Sequence, residues 1–321
     1  MIRVRTPSRL HFGLFRAAGS PEELDRRFGG VGLMTAAPGL SLSVHEAPTW
    51  SADGPLADRA LAFAQRFAGA LPDQTVPPHK VVIAAAPPEH MGLGTGTQLG
   101  LAVARALALA VGRSDLDAIA LARLVGRGDR SALGIHGFAH GGFLVEAGKR
   151  QTGAIAPLVA RCDFPEEWPL ALIVPKRPAG MHGMDERRAF DLLETLEAEF
   201  DQTDALCRLT LLGMLPALAE QDFSVFGETL FEFNARAGEG FAAVQGGTYA
   251  SAWIAEVVGY LRRHGVRGVG QSSWGPAVFV VLEDVDRATH VANQLRAHFD
   301  LEPCEVILTH ANNRGAAVDL S

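Results

Sequence analysis

Short β-like runs of apolar and β-branched residues occupy residues 2–5, 11–15, 40–46 and 81–86, and later 142–145, 170–175, 278–282 and 306–308. Between them apolar residues recur at helical spacing over 57–70, 98–110, 116–126, 186–199, 204–220, 223–235, 249–263 and 286–298. The order is strand-led at the front and helix-rich behind, which predicts an α+β fold with two lobes and argues against a regular βαβ repeat. The pattern breaks around "KRQTGAIAPLVARCDFPEEWP", where Gly, Pro and charge interrupt it before the next strand. A boundary near Arg161 follows, giving domains of 1–160 and 161–321.

The chain has 321 residues, enough for one large domain or two of about 150. A net charge of -7 argues against a nucleic-acid partner, because such surfaces carry a basic excess to replace condensed counterions. Any anionic ligand must therefore be met by a local concentration of donors. The N-terminal "MIRVRTPSRLHFG" alternates charge and has no apolar stretch of the secretory kind. The longest apolar run, 99–111, is interrupted by Arg105 and is too short to span a bilayer, so no membrane partner is expected. Cys162, Cys207 and Cys304 are odd in number, far apart and without CxxC spacing, which fits reduced thiols in a cytoplasm.

The stretch that carries chemistry is "PPEHMGLGTGTQLGLAVARAL", 87–107, a glycine-rich turn between an apolar run and a helical segment. In that arrangement backbone N–H groups and a helix N-terminus converge on an anion. Gly92, Leu93, Gly94, Thr95, Gly96, Thr97 and Gln98 are the candidate cradle, the glycines allowing close approach and the threonines adding hydroxyls. No lysine follows the glycines as GxxxxGK[ST] requires, and Thr97 and Leu99 stand where either frame of GxGxxG needs glycine. Neither nucleotide motif is present.

The spelling P-x3-GLGTGTQ, 88–98, closely resembles the phosphate loop of the GHMP superfamily of small-molecule kinases. "TPSRLHFG" (6–13) and "GVRGVGQSSWGPAVFVV" (265–281) stand where its first and third motifs are expected. The resemblance implies a two-lobed fold, with an N-terminal lobe like domain 2 of ribosomal protein S5 and a ferredoxin-like α/β C-terminal lobe. A kinase of this kind carries an acid ahead of a Gly-Gly pair. Aligned on Gly141-Gly142, that position is Gly134, which cannot accept a proton. Asp129, five residues upstream, is the candidate to substitute for that acid.

The wording of "SRLHFGL", "RRFGGVGLM", "RGDRSALGIHGFAHGGF", "GQSSWGP" and "THANNRGA" is similar, end to end, to the β-ribofuranosylaminobenzene 5'-phosphate synthase family of methanopterin-linked one-carbon metabolism. That resemblance implies a phosphoribosyltransferase, a homodimer, which condenses phosphoribosyl diphosphate with 4-hydroxybenzoate or 4-aminobenzoate. Mg2+ is the implied cofactor, with its ligands open. Within family-like motifs, Arg9 and Arg130 suit phosphate or carboxylate, Arg26 and Arg27 likewise, and His11 or His136 suits a base near the para substituent. Lys176, with Arg177 and the following 178–186 turn, is a candidate to close over substrate. Ser272, Ser273 and Trp274 offer hydroxyls and an aromatic wall, and Asn312 a further polar contact. The alternatives are an ATP-dependent kinase and a non-catalytic binding protein that kept the fold.

Overall fold

The computed structural model describes residues 1–16, 26–71, 74–151, 153–176, 183–195 and 200–320. A long hairpin, β1 (Ile2–Leu14) and β2 (Gly30–Glu46), starts the first sheet. There follow β3 (Ser51–Asp53), α1 (Ala57–Ala70), β4 (His79–Ala85), α2 (Thr95–Ala110), α3 (Ala118–Leu124), α4 (Leu133–His140), β5 (Phe143–Glu146) and β6 (Leu158–Cys162). β2 is long enough to serve two neighbours beyond β1: its first part pairs with β5 and its last with β4. Only β3 with β4 is parallel among the pairings of the described residues. Helices α1 to α4 cover this sheet over an apolar core that includes Phe67, Val81, Leu99 and Leu121.

The second part runs β7 (Leu170–Ile173), α5 (Gly183–Thr195), α6 (Phe200–Leu209), α7 (Leu215–Glu220), α8 (Phe223–Glu239), α9 (Ala242–Gln245) and α10 (Ala252–Arg263). It ends with β8 (Gly268–Gln271), β9 (Val278–Val281), α11 (Val285–Phe299), β10 (Val306–Thr309) and β11 (Ala317–Leu320). Strands β10, β7, β9 and β8 form an antiparallel sheet in that order. β11 instead pairs with β1, and β6 straddles residue 160, so the first sheet takes strand residues from both sides of the 160/161 division. A second core packs β1 and β5 against β7, β9 and α8 through Phe12, Phe143, Phe226 and Phe279, which ties the sheets together.

Several elements differ from the periodicity. Runs 2–5 and 11–15 are one strand, joined through bulges beside Thr6 and His11. The 40–46 run begins already at Gly30, and β8 has no counterpart among the expected strand runs, because glycines inside a strand look like turns. At β8 they serve close packing: a side chain at Gly270 would overlap Asn234 of α8, and one at Gly227 of α8 would meet Arg267 at 2.8 Å. α4, also glycine-bearing, was not anticipated, and a Cβ at its Gly137 would collide with Met34. The 204–220 helix is interrupted by a π-helical turn, Thr210–Met214, just before Pro216, whose missing N–H cannot continue the regular ladder.

Candidate active site

A cavity of about 830 Å³ is lined by β1, the turn before α2, the 126–131 loop before α4, α5, the end of α8 and the turn after β8. Its charge is opposite to that of the whole chain. Arg9, Arg27, Arg59, Arg127, Arg130 and Lys149 line it, against the carboxylates of Asp129 and Asp191. Screening decides which charge a ligand meets, because the Debye length is about 8 Å at physiological ionic strength. Distant surface carboxylates are largely hidden from a bound anion, whereas contact with one guanidinium in a partly buried site is worth up to about 4 kcal/mol.

The glycine turn lies within this cluster. Gly94 caps α2 with φ 72°, and Thr97 and Gln98 donate their N–H groups back to its carbonyl at 3.0 and 3.2 Å. A Cβ on Gly94 would come 3.1 Å from Cβ and 3.3 Å from Nε of Arg9. A Cβ on Gly96 would overlap the Arg59 guanidinium and lie 3.1 Å from Nη2 of Arg127. The glycines therefore admit three guanidinium groups to the start of α2, whose first N–H groups have no helical partners. Arg59 also pairs with Glu89, and Arg127 stacks 4.8 Å from the Phe63 ring. Burial, then the neighbouring Arg59, pushes Arg127 down to about 10, partly opposed by Asp129. Such crowding of like charge is relieved by an anion.

Aromatic rings form the other side. Phe190, Phe241 and Trp274 meet edge to face with centroids 5.0 to 6.0 Å apart, and Phe28 joins Phe190 at 5.5 Å. The Arg130 guanidinium lies 4.4 Å from the Phe190 ring. An apolar wall beneath a planar cation suits a flat molecule carrying a carboxylate.

Three sequence motifs are riveted together behind the cavity. Ser272 Oγ, fully buried, donates to the Gly92 carbonyl at 2.7 Å and accepts from the His11 N–H at 3.0 Å. Ser273 N–H donates to His11 O at 3.1 Å, and Arg9 N–H to Leu93 O at 2.9 Å. Ser272→Ala strands a buried N–H and a carbonyl, so it is expected to cost about 1–3 kcal/mol and lower Tm by several degrees, readable by calorimetry.

Of the residues expected from the sequence, Arg9, His11, Gly92 to Thr97, Arg130, Ser273 and Trp274 share this cavity. Ser272 and Gln98 lie behind it: buried Gln98 donates Nε2 to Gly134 O at 2.8 Å and joins α2 to α4. Gly134 packs there too, with its would-be Cβ 3.2 Å from Thr97, while Asp129 is in the lining. His136 is buried with Nε2 donating to Ala156 O at 2.8 Å, a core position away from the cavity. Arg26 faces outward and donates to Gly148 O at 2.9 Å, whereas its neighbour Arg27 lines the cavity. Lys176 is exposed and paired with Glu302 outside the cavity. Residues 177–182, most of the turn expected to close, lie outside the described residues. Asn312 closes its own turn, accepting from the N–H groups of Arg314 and Gly315. Arg59, Arg127, Lys149, Phe190 and Phe241 were not anticipated. Arg127 stands inside the quoted "RGDRSALG", but nothing in the sequence singles out Arg59 from helix surface.

His11 is buried, and burial together with Arg9 holds it well below the ordinary histidine range. It is therefore a neutral imidazole, suited to hydrogen bonding rather than to holding a proton. Among the described residues no cluster of three His, Cys, Asp or Glu side chains forms a metal site, and no helix is long and apolar enough to cross a membrane.

Residues 214–301 match the family described as GHMP kinases C terminal. The chain is 30% identical over 98% of its length, and 97% of the relative's, to a beta-ribofuranosylphenol 5'-phosphate synthase from Methanothermobacter thermautotrophicus. It is 29% identical over the whole of both chains to a protein of the same name from Archaeoglobus fulgidus. In fold it is similar to a homoserine kinase from Cytophaga hutchinsonii, with TM-score 0.71, 16% identity, 99% of this chain and 97% of that one. It is likewise similar to mevalonate pyrophosphate decarboxylase from Streptococcus pyogenes, with TM-score 0.68, 14% identity, 98% of this chain and 97% of that one. The two-lobed GHMP fold expected from the motifs is the fold observed.

Proposed function

Because this chain belongs to the beta-ribofuranosylphenol 5'-phosphate synthase family, we propose that it condenses phosphoribosyl diphosphate with 4-hydroxybenzoate, or its 4-amino counterpart, in tetrahydromethanopterin biosynthesis. The ribose C1 to ring carbon bond forms at the carbon bearing the carboxylate, the C1 to diphosphate bond breaks, and carbon dioxide then leaves. The relatives' name, a ribofuranosylphenol, is the product that the hydroxy acid would give. One observation carries the reading: a glycine turn ringed by Arg9, Arg59 and Arg127 shares a cavity with an aromatic wall topped by Arg130.

As diphosphate departs, negative charge gathers on it and positive charge on the ribose. Fixed N–H and guanidinium donors around Gly94 and Gly96 stabilise that separation without reorganising. The ring, lodged against Trp274, Phe241 and Phe190, attacks C1 while its para substituent pushes electrons in. The apolar wall keeps water from the electron-poor C1. Neutral His11 accepts a hydrogen bond from the para hydroxyl and orients it. Loss of carbon dioxide returns its electron pair to the ring and restores aromaticity, so no covalent enzyme intermediate is needed.

Magnesium is the proposed companion of the diphosphate. With two carboxylates in the lining, the cavity suits an ion that keeps its waters and takes most ligands from phosphate oxygens. Asp129, next to Arg127, would be its side-chain ligand, and the ion would neutralise charge on the leaving group.

The assay is release of labelled carbon dioxide from carboxyl-labelled 4-hydroxybenzoate or 4-aminobenzoate, with phosphoribosyl diphosphate and Mg2+. Release dependent on the ribosyl donor is the expected result, and none with either acid would sink the proposal. The likeness to homoserine kinases favours a second reading, phosphate transfer from ATP with Asp129 as the acid. ATP-dependent phosphorylation of a small alcohol would support it.

A further inference from the structure

The 127–131 loop brings Arg127, Asp129, Arg130 and Ser131 into the cavity, yet it is not part of a helix or strand. Two buried groups of opposite charge hold its ends. Glu146, the last residue of β5, is 0% exposed, and its Oε2 accepts from the Ala132 N–H at 2.6 Å. Its other oxygen has no hydrogen-bond partner among the described residues. Lys149, three residues on, donates Nζ to the carbonyls of Gly128, at 3.2 Å, and Asp129. Both anchors belong to backbone fixed by pairing: Glu146 opposite Gly30 and Leu158, Lys149 opposite Arg27. The charged groups that face Glu146 are Arg9 from β1 and Lys149, and the Ser131 hydroxyl lies beside it.

We infer that Glu146 is a positioning residue for the reaction: with Lys149 it clamps the 127–131 loop from both ends, and its ionised form sets the loop in the conformation that meets substrate. This rests on the reading of Arg127 and Arg130 as substrate holders. An ionised acceptor makes a hydrogen bond roughly twice as strong as a neutral one, and its negative charge also suits the N-terminal end of α4.

The fold bears a cost for this arrangement. Burial, only partly offset by Ser131, Ala132 and Arg9, raises Glu146 from the ordinary carboxylate range to about 7. A carboxyl whose folded value is raised contributes stability that is present below its unfolded value and lost as pH rises through about 7. At pH 8 the chain would thus be more stable with a neutral residue there. A residue kept for stability alone would show no such conflict.

Glu146→Gln separates the two roles. Hydrogen exchange of the 127–133 amides, corrected for intrinsic rates, is to be followed by mass spectrometry on the free, full chain at pH 6 and pH 8. The native protein is expected to exchange there about fivefold faster at pH 6 than at pH 8, the difference between a charged and a neutral hydrogen bond. E146Q is expected to show the faster level at both, with Tm at pH 8 raised by about 2–4 °C. At pH 8 its affinity for inorganic diphosphate is expected to be about fivefold weaker than the native protein's.

Native-like protection in E146Q at pH 8, or Tm and protection falling together, would overturn the clamp. If E146Q does not fold, the native pH dependence alone decides, and equal exchange at pH 6 and 8 overturns it. Failure of the native protein to bind diphosphate at pH 8 would count against the proposed function and leave the clamp, which is read from the free protein.

Discussion

Gly94→Val is expected to reduce kcat/KM for phosphoribosyl diphosphate by at least about a hundredfold, the scale on which single preorganised donors act. Two causes combine. At φ 72° a β-branched residue is strained by about 1–3 kcal/mol, so the turn rearranges and its N–H groups lose their aim. The new side chain also lands against Arg9, whose Cβ and Nε are 3.1 and 3.3 Å from the first added carbon, and drives that guanidinium from the cradle. A matched control separates both from a general loss of stability. Gly112, just beyond the far end of α2, has φ 75° and nothing within 4 Å of a would-be Cβ. Gly112→Val should lose similar stability and keep donor affinity. Calorimetric titration of the donor into both variants, with Tm alongside, decides: unchanged affinity in G94V removes the turn from the site.

Arg130→Met is expected to raise KM for the aromatic acid about thirtyfold while moving KM for the ribosyl donor by less than about threefold. Methionine keeps an unbranched apolar stem and removes the guanidinium, which lies 4.4 Å from the Phe190 ring. The effect should fall on KM because the carboxylate loses its charge as carbon dioxide forms. A cation that holds it strongly in the ground state does not hold it equally in the transition state. A single arginine over an aromatic ring suits that compromise better than a pair would. Steady-state kinetics with each substrate varied in turn would test it. A rise in donor KM instead would move Arg130 to the phosphate side.

The family and the glycine turn were legible in the sequence because both depend on local spelling. "GLGTGTQ" needs its glycines in a fixed order to make one turn, and its neighbours in the chain complete it. The rest of the cradle was not legible. Arg26 and Arg27 are adjacent in the same motif, but side chains alternate along extended backbone. Pairing with Lys149 sends Arg27 into the cavity and leaves Arg26 outside. The turn after β8, with Ser273 at φ 54°, separates buried Ser272, a rivet, from Ser273 in the lining. His136 lies in a motif as distinctive as that of His11, yet it ends in the core because α4 turns it toward Ala156.

By itself the sequence determined the class of fold, most of its elements and the glycine turn at the start of α2, since propensity, period and glycine placement act over a few neighbouring residues. Only the tertiary structure decided what the turn can hold. It gathered Arg59 from α1, Arg127 and Arg130 from the loop before α4, Lys149 from beyond β5 and Phe190 from α5 around Gly94, turning an acidic chain locally cationic. Charge and ring contacts act across a few ångströms of space, between residues tens of positions apart, and no local pattern in the chain carries that information.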